Sequence, residues 1–247
     1  MKAPNLKPQK TAMLVAQRIV AEIADGGLKP GSMLPPEREM QAQYDVARGT
    51  LREALRYLEI QGVLTIKSGP GGGPVVNMPD PRHLASMLAL ILQMTGARYR
   101  TIVEARQMLE PALAARAAER ISDSALEELR AAVRRMAEEV KTSEAFLAEN
   151  LTFHALIARA AGNEIFEYLI SSLGWITDGT VLGVEYPERR RAAIQDDHTR
   201  ILDAIEARDP VRASEVMSEH VKEFGNYLDR RYSHLMEMPL RWENALQ

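Results

Sequence analysis

Val46-Ala47-Arg48-Gly49-Thr50-Leu51-Arg52-Glu53-Ala54-Leu55 is the stretch on which the reading of this chain turns. Leu51, Ala54, Leu55 and Leu58 recur at helical spacing, and Arg48 and Arg52 share another face four residues apart. Upstream, Gly27-Leu28-Lys29-Pro30-Gly31 reads as a turn, and Leu34-Pro35-Pro36-Glu37-Arg38-Glu39-Met40 starts a short helix with two acids in its favourable first turn. Tyr44-Asp45 makes a tight corner between that helix and the one that begins at Arg48. Downstream, Leu58-Glu59-Ile60-Gln61-Gly62 closes the helix, Val63-Leu64-Thr65-Ile66 alternates as a strand, Ser68-Gly69-Pro70-Gly71-Gly72-Gly73-Pro74 forms a loop and Val75-Val76 returns. The order is that of a winged helix-turn-helix, whose second helix lies in the major groove of double-stranded DNA.

A preceding helix over 10–25 puts Val15, Ile19, Val20 and Ile23 on one face, and Gly26-Gly27 ends it. Long cationic side chains near the start of a recognition helix reach guanine edges or phosphates. Arg48 and Arg52 are placed for that, Thr50 can give a hydroxyl to a phosphate, Gly49 permits close backbone approach, and Arg38 crosses towards the same groove.

Composition agrees. The 247 residues are 46% apolar and only 5% aromatic, rich in Ala, Leu, Glu and Arg, which favours helix. The net charge of −3 is unevenly spread: residues 1–78 carry ten basic and seven acidic residues, a balance of +3, and the remainder carries −6. That fits a DNA-contacting head on an acidic body. No stretch reaches the roughly 20 apolar residues of a membrane span, the N-terminus lacks a signal-peptide core, and cysteine is absent, which together point to the cytoplasm.

After Pro79-Asp80-Pro81 only helical periodicity is visible. Candidate helices are 82–95, 98–119, 123–140, 144–161, 163–183, 187–207 and 210–231, so the expected architecture is mainly α. A DNA-binding domain with a small β wing covers 1–78, and an antiparallel bundle of about seven helices covers 79–247. From Ser233 the periodicity fades, and the tail is expected to fray or to pack on a partner chain. His83, His154, His198, His220 and His234 are the histidines; three imidazoles and an oxygen donor can make a divalent-cation site, but their spacing alone does not show that they converge.

Residues 11–76 resemble the N-terminal domain of the GntR family of bacterial transcription regulators, with its Pro-Gly, Leu-Pro-x-Glu-Arg, Arg-x-Thr-x-Arg-Glu-Ala-Leu and Leu-Glu-x-x-Gly pieces. The resemblance implies that Arg38, Arg48, Gly49, Thr50 and Arg52 contact DNA, with Ser68 and Gly69 at the wing tip. Two departures stand out: Ala47 occupies a position where the family usually has a Ser or Thr cap, and the wing is Gly-Pro-Gly-Gly-Gly-Pro.

Residues 98–231 resemble the helical ligand-binding domain of the FadR subgroup, the FCD type. The matching pieces are Val103-Glu104-Ala105-Arg106 with Leu109-Glu110-Pro111, Asn150-x-x-Phe153-His154 with Ala161-Gly162-Asn163, Asp197-His198-x-x-Ile201-Leu202, and His220. By that resemblance Asn150, His154, His198 and His220 hold a divalent metal of the zinc, nickel or manganese type, and Arg106 contacts a small organic acid effector. Asn150 stands where the family has an Asp, so one ligand is neutral. A helix-to-helix salt bridge is the alternative role for Arg106.

The expected protein is a homodimeric, repressor-type regulator of an inverted-repeat operator. A subgroup with a β-rich effector domain does not fit a strandless second half, and a six-helix VanR-like body is the alternative if 82–95 is not a helix. The rival from another class is a metal-dependent enzyme with a DNA-binding head, for which Glu104, Asp196 and Asp197 are the nearest general bases; no His-Glu-x-x-His motif supports it.

Overall fold

The computed structural model describes residues 8–69, 71–78, 80–138, 142–177 and 183–245. The chain separates into two compact units, Met1–His83 and Leu84–Gln247.

In the first unit, α1 (Pro8–Asp25), α2 (Glu37–Tyr44) and α3 (Arg48–Ile60) precede an antiparallel pair, β1 (Leu64–Lys67) and β2 (Gly73–Val76). The core joins Ala12, Val15, Ala16 and Ile19 of α1 to Leu51, Ala54, Leu55 and Leu58 of α3. Val20 is exposed, off the face expected for it, because Ala12 and Ala16 take the positions that continue the stripe of Val15 and Ile19. The corner is set by Asp45, whose φ of 51° turns the chain in the left-handed region between α2 and α3.

Register in the wing runs from Leu64 opposite Val76 to Lys67 opposite Gly73. The segment after the Pro30-Gly31 turn adds to its other edge: Gly31 donates to Val76, Val76 to Ser32, and Leu34 to Pro74. Pro74 is tolerated because only its carbonyl is needed there. Gly62 ends α3 at φ 72°, and the His83 ring fills the space where a Cβ would stand. The backbone angle favours glycine there, and a side chain would also have to displace the His83 ring.

In the second unit the seven long helices are α4 (Pro81–Met94, which begins in the first unit), α5 (Tyr99–Arg120), α6 (Asp123–Glu138), α7 (Ser143–Ala160), α8 (Glu164–Thr177), α9 (Glu188–Glu206) and α10 (Pro210–Arg231). The ends expected for α6 at 139–140 and for α8 at 178–182 lie outside the described residues. Thr142 caps α7 by accepting from the Ala145 N–H, and Asp209 caps α10 by accepting from Arg212. No helix among the described residues is long and apolar enough to cross a membrane.

The tail departs from expectation. Residues after α10 form α11 (Ser233–Glu237) and a short 3-10 turn (Trp242–Ala245), folded back on their own unit. Leu235, Met236 and Leu240 are buried in its core, Leu240 donates to the Ala97 carbonyl, and the Trp242 indole donates to Ser86. Glu237 pairs with Arg98 and Arg100. Three apolar anchors and these polar ties hold a segment too short to show periodicity.

Two apolar clusters divide the bundle. One takes Ile102 and Val103 of α5, Ile194 of α9 and Leu228 of α10; the other takes Ala114 and Ala117 of α5, Ile201 and Ile205 of α9, and Val216 and Val221 of α10. Arg106 and Glu110 on α5 and His198 on α9 fall between these sets along their helices, and His220 on α10 lies next to Val221 at the border of the second set. These four buried polar residues mark the waist of the bundle.

Candidate functional site

At that waist three imidazoles from three helices meet. His154 of α7, His198 of α9 and His220 of α10 are all buried, and each offers a ring nitrogen within 4.8 Å of the others. The spacing of α7, α9 and α10 brings together residues separated by dozens of positions in the chain.

Each of two imidazoles is oriented by a carboxylate. His154 Nδ1 faces Glu110 Oε2, and His220 Nδ1 lies 3.3 Å from Asp197 Oδ2. A carboxylate accepts, so the tautomers that satisfy both carboxylates put the proton on each Nδ1 and leave each Nε2 its lone pair. Those two Nε2 atoms face one another at 3.4 Å. Two neutral acceptors at that distance repel, and only a proton or a cation between them removes the conflict. His198 stacks flat on Phe153 with centroids 3.8 Å apart, and neither of its ring nitrogens, both buried, has a hydrogen-bond partner among the described residues. An orphaned imidazole in a dry site is costly unless a ligand completes it. The donor set therefore fits a divalent cation, with each carboxylate behind its histidine as in many metal sites.

Protonation agrees with this chemistry. Burial pushes the His198 pKa well below the ordinary histidine value, reinforced by His220, His154 and Arg106. Burial lowers His154 as well, against the pull of Glu110. Neutral imidazoles are the form that binds metal. For Glu110, burial raises the pKa, but the Arg106 charge and His154 outweigh it and hold it below the usual carboxylate range. Asp197 is likewise drawn down, its burial outweighed by His220 and Arg200.

Arg106 lies one turn before Glu110 on α5, and its Nε donates to that carboxylate at 2.5 Å. One Nη donates to Thr177 of α8 at 3.1 Å, and the guanidinium lies over the Phe224 ring, 5.6 Å from its centroid. The salt bridge is thus within one helix rather than between two. Arg106, Asn150, His154 and His220 line one cavity of about 550 Å³ with its open mouth included. Asn150 sits one turn before His154, on the cavity wall. Glu104 and Asp196 are exposed, so neither joins this cluster; Asp197 is there as the partner of His220.

Glu110 and Arg190 are the residues that sequence reasoning left without a role. Glu110 could have been found, because it stands four residues after an arginine in a helix, where an ion pair forms readily. Arg190, in the first turn of α9, lines the same cavity and had no such signal.

The first unit presents a separate basic face. Arg48 and Arg52 are exposed on α3, and their Nε atoms each lie 3.8 Å from one carboxylate, Glu37 of α2. Arg38 is exposed with no ion pair among the described residues, and Thr50 is half-buried. Ala47 gives α3 no side-chain cap, leaving its first backbone N–H groups unclaimed by a cap. Gly49 has open space at its Cβ position, and Ser68 and Gly69 are exposed at the end of β1.

The chain was compared with known proteins. Residues 11–72 match the family described as bacterial regulatory proteins, gntR family, and residues 101–223 match the FCD domain. An uncharacterized HTH-type transcriptional regulator of Bacillus subtilis, YcbG, is 33% identical over 222 residues, 90% of this chain and 91% of that protein. The HTH-type transcriptional regulator LutR of the same organism is 25% identical, covering 81% of this chain and 92% of its own. The HTH-type transcriptional repressor NanR of Cronobacter sakazakii is 27% identical, covering 87% and 84%. Among solved structures, Streptococcus agalactiae GntR shares the fold with a TM-score of 0.67 at 24% identity, covering 87% of this chain and 99% of that one.

Removing Glu110 leaves the buried Arg106 charge without its counter-ion and His154 Nδ1 without the carboxylate it faces. Glu110→Ala should cost about 3–5 kcal/mol in denaturant unfolding of the full chain, whereas Glu104→Ala at the exposed surface should stay within about 0.5 kcal/mol. Equal effects for the two would contradict the buried pair.

Proposed function

The chain belongs to the gntR family of bacterial regulatory proteins with an FCD domain, and from that membership we propose how its DNA affinity is governed. It is a DNA-binding transcriptional regulator, not an enzyme. In our reading residues 1–78 bind an inverted-repeat operator as repressor, and 79–247 dimerise and bind a small carboxylate beside a divalent metal, whose occupancy changes operator affinity.

For the DNA contact, the supporting observation is the exposed pair Arg48 and Arg52, both steadied by Glu37 at the start of a helix without a side-chain cap. The two arginines read base edges. Arg38 and Thr50 meet phosphates, Gly49 allows the backbone close to the strand, and Ser68 and Gly69 reach the neighbouring groove.

For the effector, the observation that carries the reading is the opposed Nε2 pair of His154 and His220 beside the orphaned ring of His198. Those three nitrogens, with the amide oxygen of Asn150, would hold the metal, and a bound cation would supply a Lewis-acidic anchor for a carboxylate oxygen. Arg106 keeps only part of its guanidinium for that carboxylate, because Glu110 and Thr177 occupy the rest. With a neutral Asn in the fourth position the ion keeps more of its positive charge, which favours an anionic ligand and weakens its own retention.

For the dimer, α4 carries Leu84, Met87, Ile91 and Met94, all exposed and spaced three, four and three residues apart. That spacing is an uncharged coiled-coil seam, and a second copy presents the same seam to it.

Three measurements test this reading. In gel-shift titrations Arg48→Ala and Arg52→Ala should each weaken operator binding by about 1–3 kcal/mol, and Arg38→Ala should weaken specific and scrambled duplexes alike. Unchanged affinity in all three variants removes the α3 assignment. Metal analysis after dialysis should find the ion lost in His154→Ala and His198→Ala and better retained in Asn150→Asp, with operator binding largely intact; retention unaffected by any of the three makes the cluster structural. In sedimentation at micromolar concentration Ile91→Glu should be monomeric and the parent dimeric. A variant that stays dimeric moves the interface away from α4.

A further inference from the structure

Arg190 is the cation in the waist cavity whose charge is least matched. Its neighbours account for only part of the guanidinium. Glu223 lies 3.6 Å from one Nη, beyond hydrogen-bond length, and that same carboxylate binds Arg230 at 2.6 Å. The Arg190 Nε is buried and has no hydrogen-bond partner among the described residues. The group lies 4.6 Å over the Tyr227 ring, which orients a guanidinium without consuming its N–H donors. Its placement is also unfavourable by itself: Glu188-Arg189-Arg190-Arg191 opens α9, putting three cations at the positive end of a helix dipole. An anion at this point relieves the dipole, the buried donor and the unmatched charge together.

Its place beside the first anion seat follows from α10. Arg106 lies over Phe224 and Arg190 over Tyr227, residues three apart on one face of that helix. Residues three apart sit on neighbouring turns of one helix face, so the two guanidinium groups rest against adjacent rings, within the reach of one short diacid. Both guanidinium groups line the cavity that also holds Asn150, His154 and His220. The first seat, formed by the histidine cluster with Arg106, takes one carboxylate; a monoanion there leaves Arg190 unsatisfied.

We propose that Arg190 is a second anion seat in this cavity, and that the effector is a short dicarboxylate rather than a monocarboxylate. The inference rests on the carboxylate-effector reading above and names its ligand class. One carboxylate binds at the histidine cluster beside Arg106, and the other forms a charge-assisted pair with the free edge of Arg190 over Tyr227. Specificity then comes from the second seat, because a ligand that lacks the distal charge leaves a buried guanidinium donor unpaired.

The test is calorimetric titration of the zinc-loaded full chain with succinate, glutarate and adipate, each compared with its own monoamide, which keeps the shape and removes one charge. At least one diacid should bind ten times or more tighter than its monoamide, well beyond the factor of two expected from its equivalent ends. In Arg190→Gln that ratio should fall to about two, with monoamide affinity and zinc content unchanged, and Arg190→Lys should retain part of the preference. If diacids and monoamides bind the parent protein alike, the second seat is refuted while the carboxylate reading stands. A preference that survives Arg190→Gln removes Arg190 from the site. If neither diacid nor monoamide binds at millimolar concentration, the carboxylate reading falls and this proposal with it.

Discussion

Two lone pairs aimed at each other set the character of the second unit. His154 and His220 would ordinarily relieve a 3.4 Å contact by sharing a proton, but each has its Nδ1 proton committed to a carboxylate, Glu110 and Asp197 respectively. Burial lowers the pKa of His154, so a second proton is disfavoured as well. A cation would complete the arrangement, and His198, stacked on Phe153 with neither ring nitrogen partnered among the described residues, would supply the third donor. Much of the surrounding structure serves to hold these rings still.

That support is layered. Glu110 is itself held by Arg106, which reaches across to Thr177 on α8, so the tautomer of a histidine on α7 depends on contacts made by α5 and α8. Asp197 is steadied by Arg200, which also binds Glu219 on α10. Apolar clusters pack around these buried groups, and burial raises the cost of any unpaired group among them. A change of charge inside the cavity is therefore felt by five helices at once. Such coupling is what a domain needs if a small ligand is to alter the state of a larger protein.

How much of this was legible in the sequence varies by element. The winged helix-turn-helix was readable in order, because its turns need Pro30, Gly31, Asp45 and Gly62 at fixed places and its core needs Leu51, Ala54, Leu55 and Leu58 at helical spacing. The seven long helices were readable to within a few residues from periodicity and from glycine and proline at their joints. Val20 was misplaced because small alanines, weak in a hydrophobicity pattern, carry the buried face of α1. The tail was misread because five residues of α11 are too few to show a period, and its burial depends on distant partners at Ser86, Gln93 and Ala97. The histidines could be named from a resemblance but not from spacing, since convergence is decided by how α7, α9 and α10 pack. Arg190 was invisible for the same reason: within its run of three arginines, only packing sets one of them against the cavity and over Tyr227.

The central claim is that the opposed imidazoles are a metal site completed by a third histidine. It is tested most directly by anomalous diffraction from crystals grown with zinc, with data collected on both sides of the metal's absorption edge. The account predicts one strong anomalous peak per chain in the waist cavity, at about 2.0–2.1 Å from the Nε2 atoms of His154 and His220 and from one ring nitrogen of His198. No peak there at saturating zinc, with the two Nε2 atoms still in contact, would contradict it.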